Sequence, residues 1–421
     1  MTVGNSYSQI KGMTPAQEKE LRQLFSYAVD ASAAYFGSRY GPRRKYLIDK
    51  KGYFPTGLLH RLPAWARNFT DGRVKPSTRT PAILPGPRPY PDQEVAVRAA
   101  LSVSRGTISM VTGSGKSLVI AMIAARLNVK TLVVVPSLEI KRQLQEAVKS
   151  LPNVTVLNID STALARAKGF DCLIIDEAHH SAAKTYQQLN KTAWAGIYYR
   201  FFLTATPFRN NSEEMLLFEA IAGEVIYWLD YRTAVARGYV VPVEAYYIET
   251  PKQETDAYTW AEVYRSLVVH NEARNNAVGG LLLRLAEAGV ATLCLVKEVA
   301  HGAILERLTG IPFVSGQADS DRGLIDRFNS GEIKSLIGTA GILGEGVDTR
   351  PCEAVVIAGL GKAKSQIMQM VGRAVRRYPG KETAKVFLVR DASHKFTRRH
   401  FNSQAKIMAE EYGTKPVKIG G

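Results

Sequence analysis

The chain has 421 residues, a formal net charge of +17 and a sequence pI of about 9.7. Apolar residues make up 46% and charged residues 22%, so the composition is globular, and the length allows two or three domains that each bury a core. Three cysteines lie far apart in apolar runs, and no apolar run reaches the length of a membrane span, which disfavours a secreted or membrane protein and favours a cytoplasmic one. The basic balance suits a polyanionic partner, most simply a nucleic acid.

The N-terminal part, residues 1–80, is predicted to be a basic domain of its own. Residues 1–89 hold 15 Lys and Arg against 5 Asp and Glu, a net charge of +10. Basic and aromatic side chains alternate with Gly and Pro at residues 39–46 and 50–57, which is typical of contacts with phosphates and stacked bases. We therefore predict a nucleic-acid-binding domain; a small solvated domain with surface aromatics fits the same composition.

Two sequence patterns predict local structure in and after this region. Thr14 followed by Pro15 predicts the N-cap and first residue of a helix, and the helical pattern extends to about Tyr35. Six prolines within residues 75–91 predict an extended boundary segment.

Beyond Gln93, apolar runs of strand type alternate with helical patterns in two successive blocks. In the first block the runs are 107–111, 131–135, 154–157, 172–175 and 201–203. In the second they are 292–296, 312–314, 335–338, 354–357 and 385–389. This alternation predicts βαβ units and an α/β fold with two tandem parallel-sheet domains after a small basic α+β domain. The predicted divisions are 1–80, 81–245, 246–392, and a basic C-terminal tail, 393–421, with a loose end.

The stretch Met110-Val-Thr-Gly-Ser-Gly-Lys-Ser117 lies between a strand-type run and a helical pattern. A glycine-bearing turn at that junction lets backbone N–H groups converge on phosphate oxygens, and the helix N-terminus adds a favourable dipole. The spacing fits G-x-x-x-x-G-K-[ST], except that Met110 occupies the first glycine position. Lys116 would contact the β- and γ-phosphates and Ser117 would ligate Mg²⁺. The pattern predicts an ATP and Mg²⁺ site lined by Thr112, Gly113, Ser114, Gly115, Lys116 and Ser117.

Two adjacent acids, Asp176 and Glu177, end the apolar run 172–175. Ligands bind at the carboxyl ends of strands in open parallel sheets. The two acids are therefore predicted to act together with residues 110–117, the predicted P-loop. Asp176 would hold Mg²⁺, and Glu177 would orient and deprotonate the attacking water. On their own, two such acids would be read as a solvated turn.

The sequence Asp176-Glu-Ala-His179 resembles the D-E-A-H box of superfamily 2 helicases and translocases. Residues 202–209, 337–348 and 369–376 are similar to motifs III, V and VI of that family, in the family's order. The resemblance covers about residues 85–390 and implies two RecA-like domains that use ATP and Mg²⁺. Residues 271–276 and 296–305 look most like the phage UvsW-like and ERCC3-like DNA helicases.

The resemblance also implies roles for individual residues. His179 cannot be assigned from its chemistry alone; by resemblance it would join Thr204 and Thr206 in coupling nucleotide state to DNA contact. Arg373 and Arg376 would be arginine fingers. The further implied catalytic and nucleotide-binding residues are Gln369, Gly346 and Asp348.

Adenine and nucleic-acid contacts follow from the same comparison. Tyr90 and Gln93 resemble the adenine-reading Q motif, although Pro91-Asp92 intervene where the family has R-x-Y-Q. Small hydroxyls and backbone amides along a nucleic-acid track would contact phosphates without reading bases. The nucleic-acid residues predicted in this way are Pro136, Ser137, Arg142, Thr162, Lys297 and Thr339.

These features predict an ATP-dependent DNA helicase or translocase that unwinds or branch-migrates duplex, forked or branched DNA, with no membrane partner. Because the P-loop and the predicted fingers lie in one chain, a monomer suffices. An RNA helicase is one alternative, since no motif here reads the sugar 2′-OH. An ATP-gated clamp that binds without unwinding is another, and a translocating subunit of a restriction complex is a third, although no nuclease-like acidic cluster is evident.

Overall fold

The computed structural model describes residues 1–28, 43–179, 183–206, 212–316, 320–344, 349, 351–359 and 361–420. They separate into two compact units. The first comprises Met1–Met110 and Gly115–Leu229, and the second Val111–Ser114 and Asp230–Gly421. None of the helices in the described ranges combines the length and apolar character that a bilayer crossing requires.

The first unit begins with a small α+β segment. Its described strands are β1 (Thr2–Val3), β2 (Tyr7–Gln9), β3 (Ser26–Ala28), β4 (Arg44–Tyr46), β5 (Tyr53–Pro55) and β6 (Thr70–Asp71). One sheet has the order β5-β2-β1-β6, and β3 pairs antiparallel with β4. Its helices are α1 (Pro15–Leu24) and two 3-10 helices, Thr56–Arg61 and Ala64–Ala66.

The first unit continues as a parallel sheet with the order β12-β7-β11-β10-β8-β9. Its strands are β7 (Arg105–Met110), β8 (Thr131–Val135), β9 (Val154–Asn158), β10 (Cys172–Ile175), β11 (Tyr199–Thr204) and β12 (Val225–Leu229). Its α-helices are α2 (Pro91–Ser102), α3 (Lys116–Leu127), α4 (Leu138–Ala147), α5 (Lys184–Lys191) and α6 (Ser212–Ala222). Strands β8 and β10 are buried at every residue, because helices cover both faces of a parallel sheet.

The second unit contains another parallel sheet, with the order β15-β16-β14-β17-β18-β13-β19. Its strands are β13 (Val243–Glu249), β14 (Thr292–Val296), β15 (Phe313–Val314), β16 (Ser335–Thr339), β17 (Ala354–Ile357), β18 (Ala384–Arg390) and β19 (Val417–Lys418). Its helices are α7 (Tyr231–Ala236), α8 (Trp260–Val263), a π-helix (Tyr264–Val269), α9 (Glu272–Glu287), α10 (Val299–Thr309), α11 (Ser320–Asn329), α12 (Ala340–Gly344), α13 (Lys364–Ala374) and α14 (Lys395–Tyr412). The two parallel sheets and the N-terminal α+β segment confirm the predicted fold class, whereas the predicted domain boundaries stay a prediction.

Buried arginines attach the N-terminal segment to the first parallel sheet. The fully buried guanidinium of Arg200, on β11, donates to Ser6 Oγ at 2.9 Å and to Asn190 Oδ1 at 2.5 Å. Arg105, on β7, donates to the carbonyl oxygens of Asn5 and Ile221. Burial, followed by the charges of Arg105 and Arg73, lowers the pKa of Arg200, so these hydrogen bonds offset a real desolvation cost. The N-terminal residues therefore complete the core of this unit.

A second contact joins the 3-10 helix Thr56–Arg61 to α6. A Cβ atom added at Gly57 would overlap the carbonyl oxygens of Glu219 and Ala220, so the two backbones approach as closely as glycine permits. The Glu219 carboxylate lies 3.0 Å from His60 Nε2 and accepts from Arg61 Nη2 at 2.9 Å. Burial acts to raise the pKa of Glu219, but the bonds to His60 and Arg61 outweigh it and lower that pKa to about 2.

Two expectations about local structure were wrong. The first helix begins as predicted, with Thr14 Oγ1 accepting from Gln17 N, but it ends at Leu24 and the chain turns into β3. At the other end, residues 415–420 are not loose, because β19 pairs in parallel with β13. In both places backbone pairing with a distant strand overrides the local pattern.

Candidate nucleotide and nucleic-acid sites

The P-loop joins β7 to α3. Gly113 and Gly115 have φ angles of +89° and +83°, the left-handed conformations that glycine adopts without strain. Ser114 Oγ donates to the carbonyl oxygen of Val111 at 2.7 Å, which closes the turn. Lys116 is the first residue of α3 and is 8% exposed. The loop has the geometry that a phosphate cradle at a helix N-terminus requires.

Met110 departs from the motif without disturbing this turn. It is the last residue of β7 and its side chain is fully buried, so it belongs to the core of the sheet. Its carbonyl oxygen lies 3.5 Å from Lys116 Nζ. The substitution for glycine therefore adds apolar packing below the loop.

Asp176 and Glu177 follow β10 directly and lie near Lys116. Lys116 Nζ is 3.8 Å from Glu177 Oε1. Burial and the charge of Glu177 raise the pKa of Asp176 to about 7, against the opposing effect of Lys116. Glu177 has a φ of +45° and its N–H donates to Asp176 Oδ1 at 2.9 Å. A non-glycine residue in this strained conformation, between two charged partners, is typical of a functional site.

His179 connects this acidic pair to β11. His179 Nδ1 is 3.2 Å from Glu177 Oε2 and 3.4 Å from Thr204 Oγ1. Thr204 Oγ1 in turn accepts from Thr206 N at 3.1 Å. Sequence reasoning grouped these residues by resemblance alone, and the structure brings them into one line of contacts.

The residues predicted to hold Mg²⁺ suit that ion chemically. Asp176 offers a buried carboxylate beside a second negative charge, an arrangement that a divalent cation would neutralise, and Ser117 offers a hydroxyl. No group of three or more His, Cys, Asp or Glu that could hold a metal occurs among the described residues. Mg²⁺ commonly takes few protein ligands and fills its shell with phosphate oxygens and water, so the donor set fits.

The start of α2 explains the irregular Q motif. Tyr90 N–H donates to Gln93 Oε1 at 2.8 Å, and Gln93 Nε2 donates to the Gly115 carbonyl oxygen at 3.4 Å. The inserted Asp92 is buried and accepts from the Tyr227 hydroxyl at 2.5 Å. Asp92 thus ties α2 to β12, and sequence reasoning did not find this contact because β12 was not predicted.

The predicted nucleic-acid residues of the first unit follow the carboxyl ends of β8 and β9. Ser137 is the N-cap of α4, where its hydroxyl accepts from Ile140 N at 3.2 Å. Arg142 is exposed on α4, and Thr162 begins a 3-10 helix. Asn158 Nδ2 donates to the Pro136 carbonyl oxygen at 3.1 Å and holds these two loops together.

In the second unit, the predicted residues lie at the carboxyl edge of the sheet and on α13. Lys297 follows β14 and its ammonium lies 5.3 Å from the Tyr264 ring centroid, and Thr339 ends β16. Gln369 and Arg373 are on α13, where Arg373 is 6% exposed. The structure leaves Arg373 largely enclosed, which sequence reasoning did not foresee.

Residues 111–114 of the P-loop pack within this second unit. A Cβ atom at Gly372 would overlap the side chain of Thr112, and one at Gly113 would lie 3.2 Å from Arg376 Cγ. Arg376 forms an isolated bridge with Val240, and its carbonyl oxygen accepts from Lys381 at 2.9 Å. The motif VI segment and residues 111–114 are therefore close neighbours.

Some predicted residues lie outside the described part of the chain. These are Gly346 and Asp348 of motif V, the end of motif III at 207–209, and residues 39–42 of the basic N-terminal stretch.

Comparisons with known proteins agree with these motifs. Residues 87–158 and 152–209 match the family described as Type III restriction enzyme, res subunit, and residues 295–378 match the Helicase conserved C-terminal domain. The DNA 3'-5' translocase XPB2 of Sulfurisphaera tokodaii is 24% identical over 408 residues, 80% of this chain and 91% of that protein. The ATP-dependent DNA helicase uvsW of Enterobacteria phage T4 is 21% identical over 444 residues, 89% of this chain and 87% of that protein. The chain spans about half the length of three further relatives.

The fold is shared with solved structures. The fragment structure of a putative HsdR subunit of a type I restriction enzyme from Vibrio vulnificus matches with a TM-score of 0.60 and 19% identity, over 80% of this chain and 69% of that one.

With a P-loop, a D-E-A-H box and both family matches in one chain, this protein resembles the superfamily 2 helicases and translocases. The class consists of ATP hydrolases coupled to work on nucleic acid. Within it, the chain is similar to a UvsW helicase and an XPB-type translocase, in line with the resemblance of its sequence motifs.

Proposed function

We propose that this chain is an ATP-dependent DNA helicase or translocase that unwinds or branch-migrates duplex or forked DNA. The observation that carries the proposal is the line of contacts from Lys116 through Glu177 and His179 to Thr204. It joins the phosphate-binding lysine to the motif that would sense the nucleotide, within the first unit.

Each residue of that line has a chemical task in hydrolysis. Lys116 binds the β- and γ-phosphates, which separates it from Glu177 and frees that carboxylate to orient water. Mg²⁺, held by Ser117 and Asp176, would supply charge neutralisation at the phosphates. A movement of Glu177 would then be transmitted through its contact with His179 to Thr204. Loss of the γ-phosphate would restore the contact between Lys116 and Glu177.

The arginines of motif VI are proposed to make hydrolysis depend on both units. A guanidinium stabilises the charge that develops on the γ-phosphate and accelerates transfer by roughly 10³–10⁵-fold. The nearness of Arg376 to Gly113 within the second unit supports this role. Arg373, which is largely buried, would reach a phosphate only after α13 shifts.

DNA is the proposed substrate because the two relatives described above are named for action on DNA. Strand β4 supports binding outside the motor, since all three of its residues, Arg44, Lys45 and Tyr46, are exposed. We propose that this N-terminal surface holds duplex DNA while the two parallel-sheet domains step along one strand. The small hydroxyls and cations at the carboxyl edges of the sheets would grip phosphates without reading sequence.

The test is ATP hydrolysis and strand separation with forked DNA, a four-way DNA junction, and RNA of the same sequence. We expect DNA to stimulate hydrolysis more than RNA and ATP to drive unwinding or branch migration. Lys116→Ala is the negative control and should abolish both activities. Equal or greater stimulation by RNA would favour an RNA helicase, and DNA binding with hydrolysis but no strand movement would favour a clamp.

Point substitutions are the sound way to examine the N-terminal segment. Deleting residues 1–80 would remove Ser6 and Asn5, which accept hydrogen bonds from the buried Arg200 and Arg105. Both arginines would keep other partners, but losing these bonds would weaken the packing of the first unit. A truncated chain would therefore mix a folding defect with any loss of DNA binding. Replacing Lys45 and Lys50 with Gln leaves this core intact and tests the surface directly.

A further inference from the structure

One strongly basic surface is not explained by the motifs. Helix α14, Lys395–Tyr412, lies beyond the end of the C-terminal family match at residue 378. Its buried residues include Thr397, Gln404, Ile407 and Met408. The opposite face carries the exposed residues Lys395, Arg398, Arg399, Asn402 and Lys406, which line one open surface groove.

The cations at the start of this face have no acidic partner. Lys406 pairs with Glu410 at 3.6 Å, but Lys395, Arg398 and Arg399 make no ion pair among the described residues. The first turn of α14 also contains no acidic residue. Positive charges near a helix N-terminus run against the helix dipole and do not stabilise the helix. Stability of the helix therefore does not account for them.

A line of contacts connects this face to a predicted phosphate contact. The ring of His400 lies 4.0 Å from that of Trp260, centroid to centroid, and Trp260 lies 5.3 Å from Tyr264. Lys297 lies 5.3 Å from the centroid of that same Tyr264 ring. The aromatic side chains thus form a bridge from α14 to the carboxyl end of β14.

A further cation, Lys362, lies beside the bridge. Gln404, on α14, donates to the Gly361 carbonyl oxygen at 3.0 Å and so fixes the loop that carries the exposed Lys362. Burial, and after it the charges of Lys362, Arg399 and Lys297, lower the pKa of His400. The positive charges of these three side chains therefore all act on the His400 imidazole.

We propose that Lys395, Arg398 and Arg399 form a second nucleic-acid-binding surface, which continues from Lys297 across α14 and grips the phosphate backbone. This inference rests on the proposed function and extends it to residues that no motif covers. Exposed cations without acidic partners among the described residues, at close spacing on one helix face, suit a polyanion with regularly spaced charges. The surface would hold phosphates and carry no sequence preference.

The test compares three full-length variants with the parent. The first replaces Lys395, Arg398 and Arg399 with Gln. The second keeps the charge, with Lys395→Arg, Arg398→Lys and Arg399→Lys. The third is a matched control that removes three exposed, unpaired cations elsewhere in the second unit, by changing Arg284, Arg307 and Lys334 to Gln. Thermal unfolding confirms that each variant is folded.

Binding of labelled single-stranded DNA and of labelled duplex DNA is measured from about 50 to 200 mM salt. Each lost phosphate contact lowers the slope of log K against log[salt] by about 0.9 for duplex and about 0.7 for single strands. The neutralised variant should bind at least one of the two DNAs more weakly, with a slope smaller by about 2 to 3 for that DNA. The DNA whose binding weakens shows whether the surface holds duplex or single-stranded DNA. The charge-retaining variant and the matched control should keep the parental slope.

Two outcomes overturn the inference. Parental affinity and slope of the neutralised variant in both arms would mean that this face serves another acidic partner or none. An equal change in the matched control would mean that total charge, not this surface, governs binding. If the parent itself fails to bind DNA or to respond to it in hydrolysis, the proposed function fails instead.

Discussion

Replacing Glu219 with Gln should loosen the junction between the N-terminal segment and α6. This carboxylate accepts hydrogen bonds from His60 and Arg61, and its side chain is 9% exposed. Its pKa is about 2, against an ordinary value of 4.5. That difference corresponds to about 3 kcal/mol of stabilisation by linkage. Arg61 is 36% exposed, so solvent screening reduces the expected loss to about 2 kcal/mol.

The pH dependence has a definite sign. A carboxyl whose pKa is depressed by folding stabilises fully above its ordinary pKa and loses that effect as the pH falls towards the folded-state value. For Glu219 the window runs from about pH 4.5 down to about pH 2. The difference between the parent and Glu219→Gln should therefore be constant near neutrality and should shrink below pH 4.5.

Backbone hydrogen exchange in Thr56–Arg61 and α6 measures this locally, since a chain with several domains need not unfold in one step. At pH 7, Glu219→Gln should lower protection there roughly 30-fold, which is about 2 kcal/mol. Glu213→Gln, on the same helix, is the matched control and should cost a few tenths of a kcal/mol as a first-turn acid. Equal protection in both variants, or a difference that grows below pH 4.5, would refute the reasoning.

Three further substitutions probe the sites. Glu177→Gln should retain ATP binding and lose turnover roughly 10²–10⁴-fold, measured by nucleotide titration and phosphate release; near-parental turnover would remove Glu177 from its role. Arg376→Ala should lower DNA-stimulated hydrolysis by roughly 10³-fold or more, and a loss of ATP binding without a fall in the saturated rate would contradict a finger. Gly57→Ala should destabilise the first unit by about 1–3 kcal/mol in thermal unfolding, because its methyl group meets two backbone carbonyl oxygens. Gly196→Ala, where no atom lies within 4 Å, should be nearly neutral, and equal effects would exclude the steric explanation.

The central strands could be predicted because their signal is local. Thr131–Val135, Cys172–Ile175, Thr292–Val296 and Ala354–Ile357 were predicted with their observed bounds. Each is a short, largely β-branched apolar run buried on both faces, which suits a central parallel strand. By contrast, β12 was missed, because an edge strand with Trp228 at 45% exposure lacks that continuous burial.

The residues of the site also differ in whether the local sequence predicts them. The P-loop and the D-E-A-H box are contiguous, so spacing alone identifies them. The contact of Asp92 with Tyr227 joins residues 135 positions apart, and nothing in either local sequence indicates it. Arg200 reads as a surface charge, and only the fold shows that Ser6 and Asn190 enclose it.

Strand β19 has a practical consequence for handling the protein. It is two residues long and pairs with Tyr246 and Tyr247 on β13, the seven-residue strand that would otherwise end that side of the sheet. An exposed edge strand has unpaired N–H and C=O groups, which can form hydrogen bonds with the same strand of another molecule. Chains cut before Val417 should therefore self-associate in a concentration-dependent way, whereas tags placed beyond β19 leave its pairing with β13 in position.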